Sequence, residues 1–261
     1  MDATIWKVKR TFDELVAEAE SVSVDGWDFS WLDGRATEQR PSWGYQRLLR
    51  ARLAQVTSAL DIYTGGGEVL AGAGPIPPTM AATEPWPPNL ALATRLLHPL
   101  GVVVVAAGRE PPLPFGDAAF ELVSGRHPSA VWWDDIARVL KPGGTYFAQH
   151  IGVIFFRNLI EHFLGPMPRK LISAQMNPDT VTAEITAAGL EVVDLRHERI
   201  QLEFFDVGAV IYLLRKVIWV IPGFTVAKYR DKLLQIHQQI EADGSLVTHS
   251  SRVLIEARKP D

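Results

Sequence analysis

The chain has 261 residues, 47% of them hydrophobic and 21% charged, with a formal net charge of −4 and no cysteine. That length holds one large domain, or a domain with a modest appendage. The composition excludes disulfides, thiolate metal sites and cysteine nucleophiles, and a pI near 6.0 argues against a broad electrostatic footprint for nucleic acid.

Residues 1–41 mix acids with the aromatics Trp6, Phe12, Trp27, Phe29 and Trp31. Residues 1–9 lack the long apolar core of a secretory signal. The pattern predicts a helix over 11–21 and a loop or single turn over 27–31. Two readings stand for the aromatics. They anchor an N-terminal flap, or together with Trp43 and Tyr45 they roof a ligand pocket, where flat rings stack well. Pro41 suits the start of an amphipathic helix over 42–58, apolar at Leu48, Leu49, Leu53 and Val56.

A predicted strand over 59–63 then runs into Thr64-Gly65-Gly66-Gly67 and a helix over 66–72. Glycine lets the backbone turn sharply and approach a ligand. The new helix points free N–H groups and its positive dipole end at that ligand. The next predicted strand, 79–84, ends on Glu84. Strand, glycine turn, helix and terminal acid make half of a nucleoside-binding site, with the acid accepting hydrogen bonds from two ribose hydroxyls. A small-molecule enzyme with a nucleoside cofactor is the expectation.

Alternation continues with a helix over 87–97 and a β-branched run over 101–106 that marks a strand covered on both faces. A strand over 120–124, a helix over 129–140, the turn Lys141-Pro142-Gly143-Gly144 and a strand over 145–149 follow. This rhythm predicts an α/β fold with a doubly wound, mostly parallel sheet and helices on both faces. Past residue 150 the pattern loosens into helices over 155–164 and 180–188, a strand over 191–198, a mixed segment over 204–222, a helix over 225–243 and a last strand over 250–258. That helix-rich stretch is placed for a substrate lid. Residues 204–214 read either as an apolar acceptor pocket or as core beneath the lid, and Ile218–Pro222 as a candidate homodimer face. The apolar run 207–220 is broken by Arg215 and Lys216 and is short for a bilayer span, so no membrane partner and a cytoplasmic location are expected.

Four features in order carry a family resemblance: Asp61 with Gly65, Gly66 and Gly67; Glu84; the segment Leu113–Val123; and Arg138-Val139-Leu140-Lys141-Pro142-Gly143-Gly144. Over residues 58–150 the chain resembles the class I S-adenosylmethionine-dependent methyltransferases of the type 11 group, and more narrowly actinobacterial members that share the Thr-Gly-Gly-Gly-Glu turn. The resemblance implies a seven-stranded Rossmann-like sheet in residues 42–261, with a cofactor-binding half over 42–150, a substrate and lid half over 151–261, and a helical flap over 1–41. It implies S-adenosyl-L-methionine as cofactor, bound by Asp61, Tyr63, Thr64, Gly65, Gly66, Gly67 and Glu84, with Trp43 and Tyr45 over the pocket. The implied reaction is in-line methyl transfer to a small-molecule acceptor. A nicotinamide oxidoreductase shares the glycine turn and the acid, but needs neither of the last two motifs. An RNA or protein methyltransferase of the same fold, and a non-catalytic relative, are the other readings.

Two departures stand out. Tyr63 occupies a position where family members carry glycine, and either lines the methyl-transfer site or is tolerated packing. Arg109, beside Glu110, stands where an acid often meets the adenine.

Methyl transfer from a sulfonium needs alignment and exclusion of water. A base is required only if the acceptor keeps its proton. The candidates are His127, at the carboxyl edge after the fourth strand, and His150, after the fifth. The alternative for His127 is local capping or packing before Pro128. His98 reads as a surface residue at a helix end. No metal site is expected, because the histidines are scattered. Asp134 and Asp135 read as a solvated helix face, and Lys141 as a cation at a helix end. Arg35, Arg40 and Arg126 read as surface ions or as ligands for an anionic substrate.

Overall fold

The computed structural model describes residues 10–25, 28–107, 110–166 and 177–261, the side chains of 153–155 aside. Trp6, Trp27 and Arg109 therefore lie outside the described residues. The chain divides into two compact units. The larger comprises Arg40–Phe155, Pro168–Ile200 and Ser250–Asp261, and the smaller Met1–Gln39, Phe156–Met167 and Gln201–His249.

The larger unit carries α2 (Tyr45–Leu53), β2 (Ser58–Ile62), α3 (Glu68–Ala73), β3 (Thr79–Thr83), α4 (Pro87–Leu97), β4 (Val103–Val105), β5 (Phe120–Arg126), α5 (Trp133–Val139), β6 (Leu140–Phe155) and α7 (Pro178–Ala187). It also holds most of β7 (Glu191–Phe204) and β8 (Leu246–Arg258). Strands β4, β3, β2, β5 and β6 are parallel neighbours in that order, and β8 closes on β6 antiparallel. Every residue of β2 is buried. Successive side chains of a strand point to opposite faces, and the core follows that rule. Leu60 and Tyr146 pack with Val123, Ile136 and Ile185 on one face. Ala59 and Phe147 pack with Leu49, Leu53 and Leu97 on the other. A fully buried Leu or Phe contributes about 1.5–3 kcal/mol, so a central strand buried on both faces anchors the unit.

With β1 (Ala36–Glu38) the sheet has eight strands, in the order β1-β7-β8-β6-β5-β2-β3-β4, against the seven expected. The additional one is β1, antiparallel to the end of β7. Three residues with no apolar alternation leave nothing to recognise as a strand. Other boundaries also move. The helix predicted over 129–140 is α5, shorter at its start, and Lys141–Gly144 is no turn between elements. Those residues lie within β6, at the register shift where Phe120 pairs with Leu140 and Leu122 with Thr145.

In the smaller unit, α1 (Phe12–Ser21) opens with a capping box: the Glu14 amide donates to Thr11 Oγ1 at 3.3 Å and the Thr11 amide to Glu14 Oε2 at 2.7 Å. Helix α8 (Val207–Lys216) starts at Asp206, whose carboxylate accepts the Ala209 amide at 2.8 Å. It is buried nearly all round, the mark of a core helix, so the 207–214 run forms the centre of this unit. Helices α6 (Arg157–Leu164) and α9 (Val226–Asp243) meet through Phe163 and Tyr229, edge to face at 5.3 Å. In the candidate dimer face Val220 and Ile221 are buried, whereas Ile218 and Trp219 are 66% and 59% exposed. No described helix is long and apolar enough to cross a membrane.

Candidate functional site

The candidate residues lie in the larger unit, near the carboxyl ends of β2, β3 and β5, the edge where ligands bind in open α/β sheets. The first corner joins β2 to β3. The Thr64 amide donates to Thr83 O at 3.0 Å, tying the two strand ends together. Glu84, only 5% exposed, then spans the corner: Oε2 accepts the Gly65 amide and Oε1 the Trp86 amide, each at 2.9 Å. The acid expected to accept ribose hydroxyls thus accepts the backbone amide of the glycine turn.

Gly65 has φ +63°, and a Cβ built there meets nothing within 4 Å, so the turn presents bare backbone on that side. Gly67 has φ +90°, and its Cβ would lie 2.8 Å from Leu97 Cγ, so this glycine lets α3 seat on α4. A side chain on Gly66 would collide with the Glu68 carboxylate. Tyr63 is half-buried with φ 53°, a left-handed conformation that costs a bulky residue about 1–3 kcal/mol. Its ring lies 6.5 Å from that of Trp132.

Asp61 is buried at the end of β2 and accepts Ser124 Oγ at 2.6 Å. Burial raises its carboxyl pKa, against the opposing hydrogen bond from Ser124. Burial likewise pushes up the hydroxyls of Tyr45 and Tyr146, with the Asp61 charge adding to both. Asn89, in the first turn of α4, is buried, and its Oδ1 has no hydrogen-bond partner among the described residues.

The second corner lies where β5 ends, at Arg126, beside Gln149 of β6; β6 runs on to Phe155, so His150 lies within this strand and not after it as expected. His127 is half-buried with φ 59°, and its amide donates to Gln149 O at 2.7 Å. Gln149 Nε2 lies 2.9 Å from His127 Nε2, and Gln149 Oε1 accepts the Trp43 indole N–H at 2.8 Å. His127 is held well below the usual histidine range, first by burial, then by Arg126, Arg252 and His150. His150 is 1% exposed, and its Nε2 lies 2.9 Å from the Tyr146 hydroxyl. Burial pushes its pKa down to about 3, so it is neutral through the physiological range. Its Nδ1 has no partner among the described residues.

Trp43 and Tyr45 are both buried in the core face that holds Leu49 and Leu53. Tyr45 stacks on Phe147 at 5.4 Å with the rings 3° from parallel. Trp43 reaches the second corner through its indole N–H. The structure thus groups Asp61, Tyr63, Thr64, Gly65, Gly66, Gly67 and Glu84 on the β2–β3 corner, and His127 with Trp43 on the β5–β6 corner.

The two later motifs prove to be one construction. Arg138 Nη1 donates to Phe115 O at 2.7 Å and Asp117 Oδ1 at 2.9 Å, and Nη2 donates to Leu113 O at 3.0 Å. Its Nε donates to Asp135 Oδ1 at 2.7 Å, while Asp135 Oδ2 accepts the Leu113 amide at 2.5 Å. Asp135 is therefore a buried latch, not part of a solvated face. The motif carrying Arg138 clamps the loop carrying Leu113, Phe115 and Asp117. Lys141 instead pairs with Glu121 at 3.1 Å. The Thr57 amide and then Lys141 hold the Glu121 carboxyl down at about 2, against burial. Gln149, Ser124 and Asn89 were not legible as site residues. Ser124 and Gln149 are polar residues buried within strands and Asn89 is one in a first helical turn, and a polar residue in an apolar run was the available signal.

No family model and no curated protein matches the sequence. Solved structures do match. A Bacillus halodurans protein assigned as a methyltransferase superimposes with a TM-score of 0.55 at 19% identity, over 81% of this chain and 99% of that one. The YcgJ protein of Bacillus subtilis gives 0.55 at 14% identity, over 83% and 98%. Phosphoethanolamine N-methyltransferase 2 of Haemonchus contortus, solved with phosphomonomethylethanolamine and S-adenosylhomocysteine, gives 0.52 at 18% identity, over 97% of this chain and 61% of that one. With its parallel β4-β3-β2-β5-β6 array and antiparallel β8, the chain has the Rossmann-like fold of the class I S-adenosylmethionine-dependent methyltransferases.

Proposed function

We propose that this protein transfers a methyl group from S-adenosylmethionine to a small-molecule acceptor. The observation that carries the reading is the Glu84 carboxylate, buried and bonded to the Gly65 amide at 2.9 Å. A carboxylate has about four acceptor positions, and one placed between a glycine turn and the next strand suits a ribose diol. The fit extends to the open backbone face at Gly65 and the unpartnered Oδ1 of Asn89. The Haemonchus contortus enzyme, solved with the demethylated cofactor, supports the same assignment.

In this reading Glu84 holds the ribose, and Thr64–Gly67 presents backbone amides to the charged end of the cofactor. Bound there, adenosylmethionine supplies a methyl group already activated on sulfur. The protein's own part is to align the acceptor and exclude water. Tyr63 lies at the mouth of the turn, and its strained backbone holds the ring there. His127, half-buried just past β5, is the histidine placed to meet an acceptor, whereas His150 is buried against Tyr146; both are neutral. An acidic chain favours a small acceptor over a nucleic acid.

The test is incubation with isotopically labelled cofactor and a metabolite extract, followed by mass identification of the labelled product. Label in a small molecule is expected. Label only in RNA or protein would reject the small-molecule acceptor, and cofactor binding without any transfer would reject the enzyme.

A further inference from the structure

The hydrogen bonds around His127 form a chain with a fixed direction. An indole N–H can only donate. Trp43 Nε1 therefore obliges the atom it meets, 2.8 Å away, to be the carbonyl oxygen of Gln149. The other end of that amide must then be its NH₂ group, 2.9 Å from His127 Nε2. An NH₂ group has no acceptor, so His127 Nε2 has to be the bare nitrogen of a neutral ring. Trp43 and Gln149 are both buried, which leaves no water to substitute for either partner. The backbone supports the same placement, because the His127 amide donates to Gln149 O at 2.7 Å and holds the residue in its left-handed conformation.

We infer that Gln149, oriented by Trp43, is a positioning residue that keeps His127 neutral with its proton on Nδ1, so that His127 donates a hydrogen bond to an oxygen of the acceptor rather than removing the acceptor's proton. Nδ1 has no hydrogen-bond partner among the described residues, and the proton it carries is therefore available to a ligand. The substrate class that follows is a molecule presenting a lone-pair oxygen, such as a carboxylate, carbonyl or ether, beside the atom to be methylated. Arg126, adjacent in sequence, is exposed and makes no ion pair among the described residues, which leaves its charge for an anionic group of the acceptor. Protonation at Nε2 would break the bond to Gln149, and protonating both nitrogens would bury a charge beside two arginines. The substrate class rests on the methyltransferase reading. The proton's location does not.

The test is nitrogen NMR of histidine-labelled protein near pH 7.5, without cofactor or acceptor, with the His127 signals assigned by loss in His127→Asn. Wild-type protein is expected to show a protonated Nδ1 and a bare Nε2. In Gln149→Glu a carboxylate oxygen replaces the donor, and Nε2 is expected to gain a proton. In Trp43→Phe the amide loses its lock, and both neutral tautomers are expected together. A wild-type His127 with bare Nδ1 overturns the inference. So does a Gln149→Glu ring whose Nε2 stays bare, or a Trp43→Phe ring that keeps a single tautomer. If a variant fails to fold, the wild-type spectrum alone decides. Because no methyl transfer is measured, failure here is separate from failure of the proposed activity.

Discussion

The Glu84 carboxylate accepts the Gly65 amide at 2.9 Å, so the acid ending β3 and the glycine turn leaving β2 form one rigid corner. A ligand contacting either residue meets a site whose parts are already in place, which limits the ordering cost of binding.

Gly65 and Gly67 both sit at positive φ, but for different reasons, and their substitutions separate. Gly65→Ala meets open space and is expected to cost only the left-handed backbone term, about 1–2 kcal/mol. Gly67→Ala adds a clash with Leu97 and is expected to cost about 2–4 kcal/mol. Urea denaturation of both variants measures the difference. Equal losses would mean that α3 does not need glycine to seat on α4.

Arg138 is expected to be worth more to the fold than its position on a short helix suggests. Arg138→Met strands a buried Asp135 carboxylate and the Leu113 and Phe115 carbonyls, at a cost of about 2–4 kcal/mol. Adding Asp135→Asn should return part of that loss, since the unpaired charge is gone. Additive losses in the double-mutant cycle would contradict a shared latch.

Acid should destabilise the protein partly through His150. The folded pKa is lowered to about 3 by burial, whereas the unfolded ring titrates near ~6.5. Between those values the unfolded chain binds more protons, so stability rises with pH by up to about 1.4 kcal/mol per unit and falls on acidification. His150→Gln removes this contribution and can still bond Tyr146. Unfolding free energies measured at pH 6.5 and 4.5 should differ less in the variant than in the wild type. An unchanged difference would show that His150 ionises in the folded state.

His127→Gln separates a hydrogen-bond donor from a base in turnover. A glutamine amide still donates, so kcat should fall by less than about tenfold, whereas loss of a general base typically costs ~100- to 10,000-fold. Steady-state kinetics with the identified acceptor reads the outcome, and a fall in the larger range would assign His127 to proton removal.

The sheet was legible because its signals are local. An apolar run at β2, the glycine turn and a β-branched run at β4 each announce themselves within a few residues, although β4 proves to be an edge strand with Val103 exposed and not one covered on both faces. The corner formed by Glu84 and Gly65 was legible because a strand, turn and strand fix its geometry. Asp135 was misread because its neighbours, Trp133 and Asp134, describe a helix surface, while the Leu113 amide that it accepts comes from a loop 22 residues away and Arg138 bonds it from one turn on along the same helix. Gln149 was invisible for a similar reason. Its importance lies in joining Trp43 to His127, residues 106 and 22 positions away. Pairings of that range follow from the fold, and periodicity does not encode them. Strand β1 is too short to carry a period at all.

The central claim is that the corner built by Gly65 and Glu84 binds an adenosyl group. Calorimetric titration of the wild type and Glu84→Ala with S-adenosylhomocysteine tests it most directly. Each hydrogen bond to a charged group is worth about 1.5–3 kcal/mol. The account predicts saturable wild-type binding and an affinity at least tenfold weaker in a folded Glu84→Ala. No wild-type heat at millimolar ligand, or equal affinity in the two proteins, would contradict it.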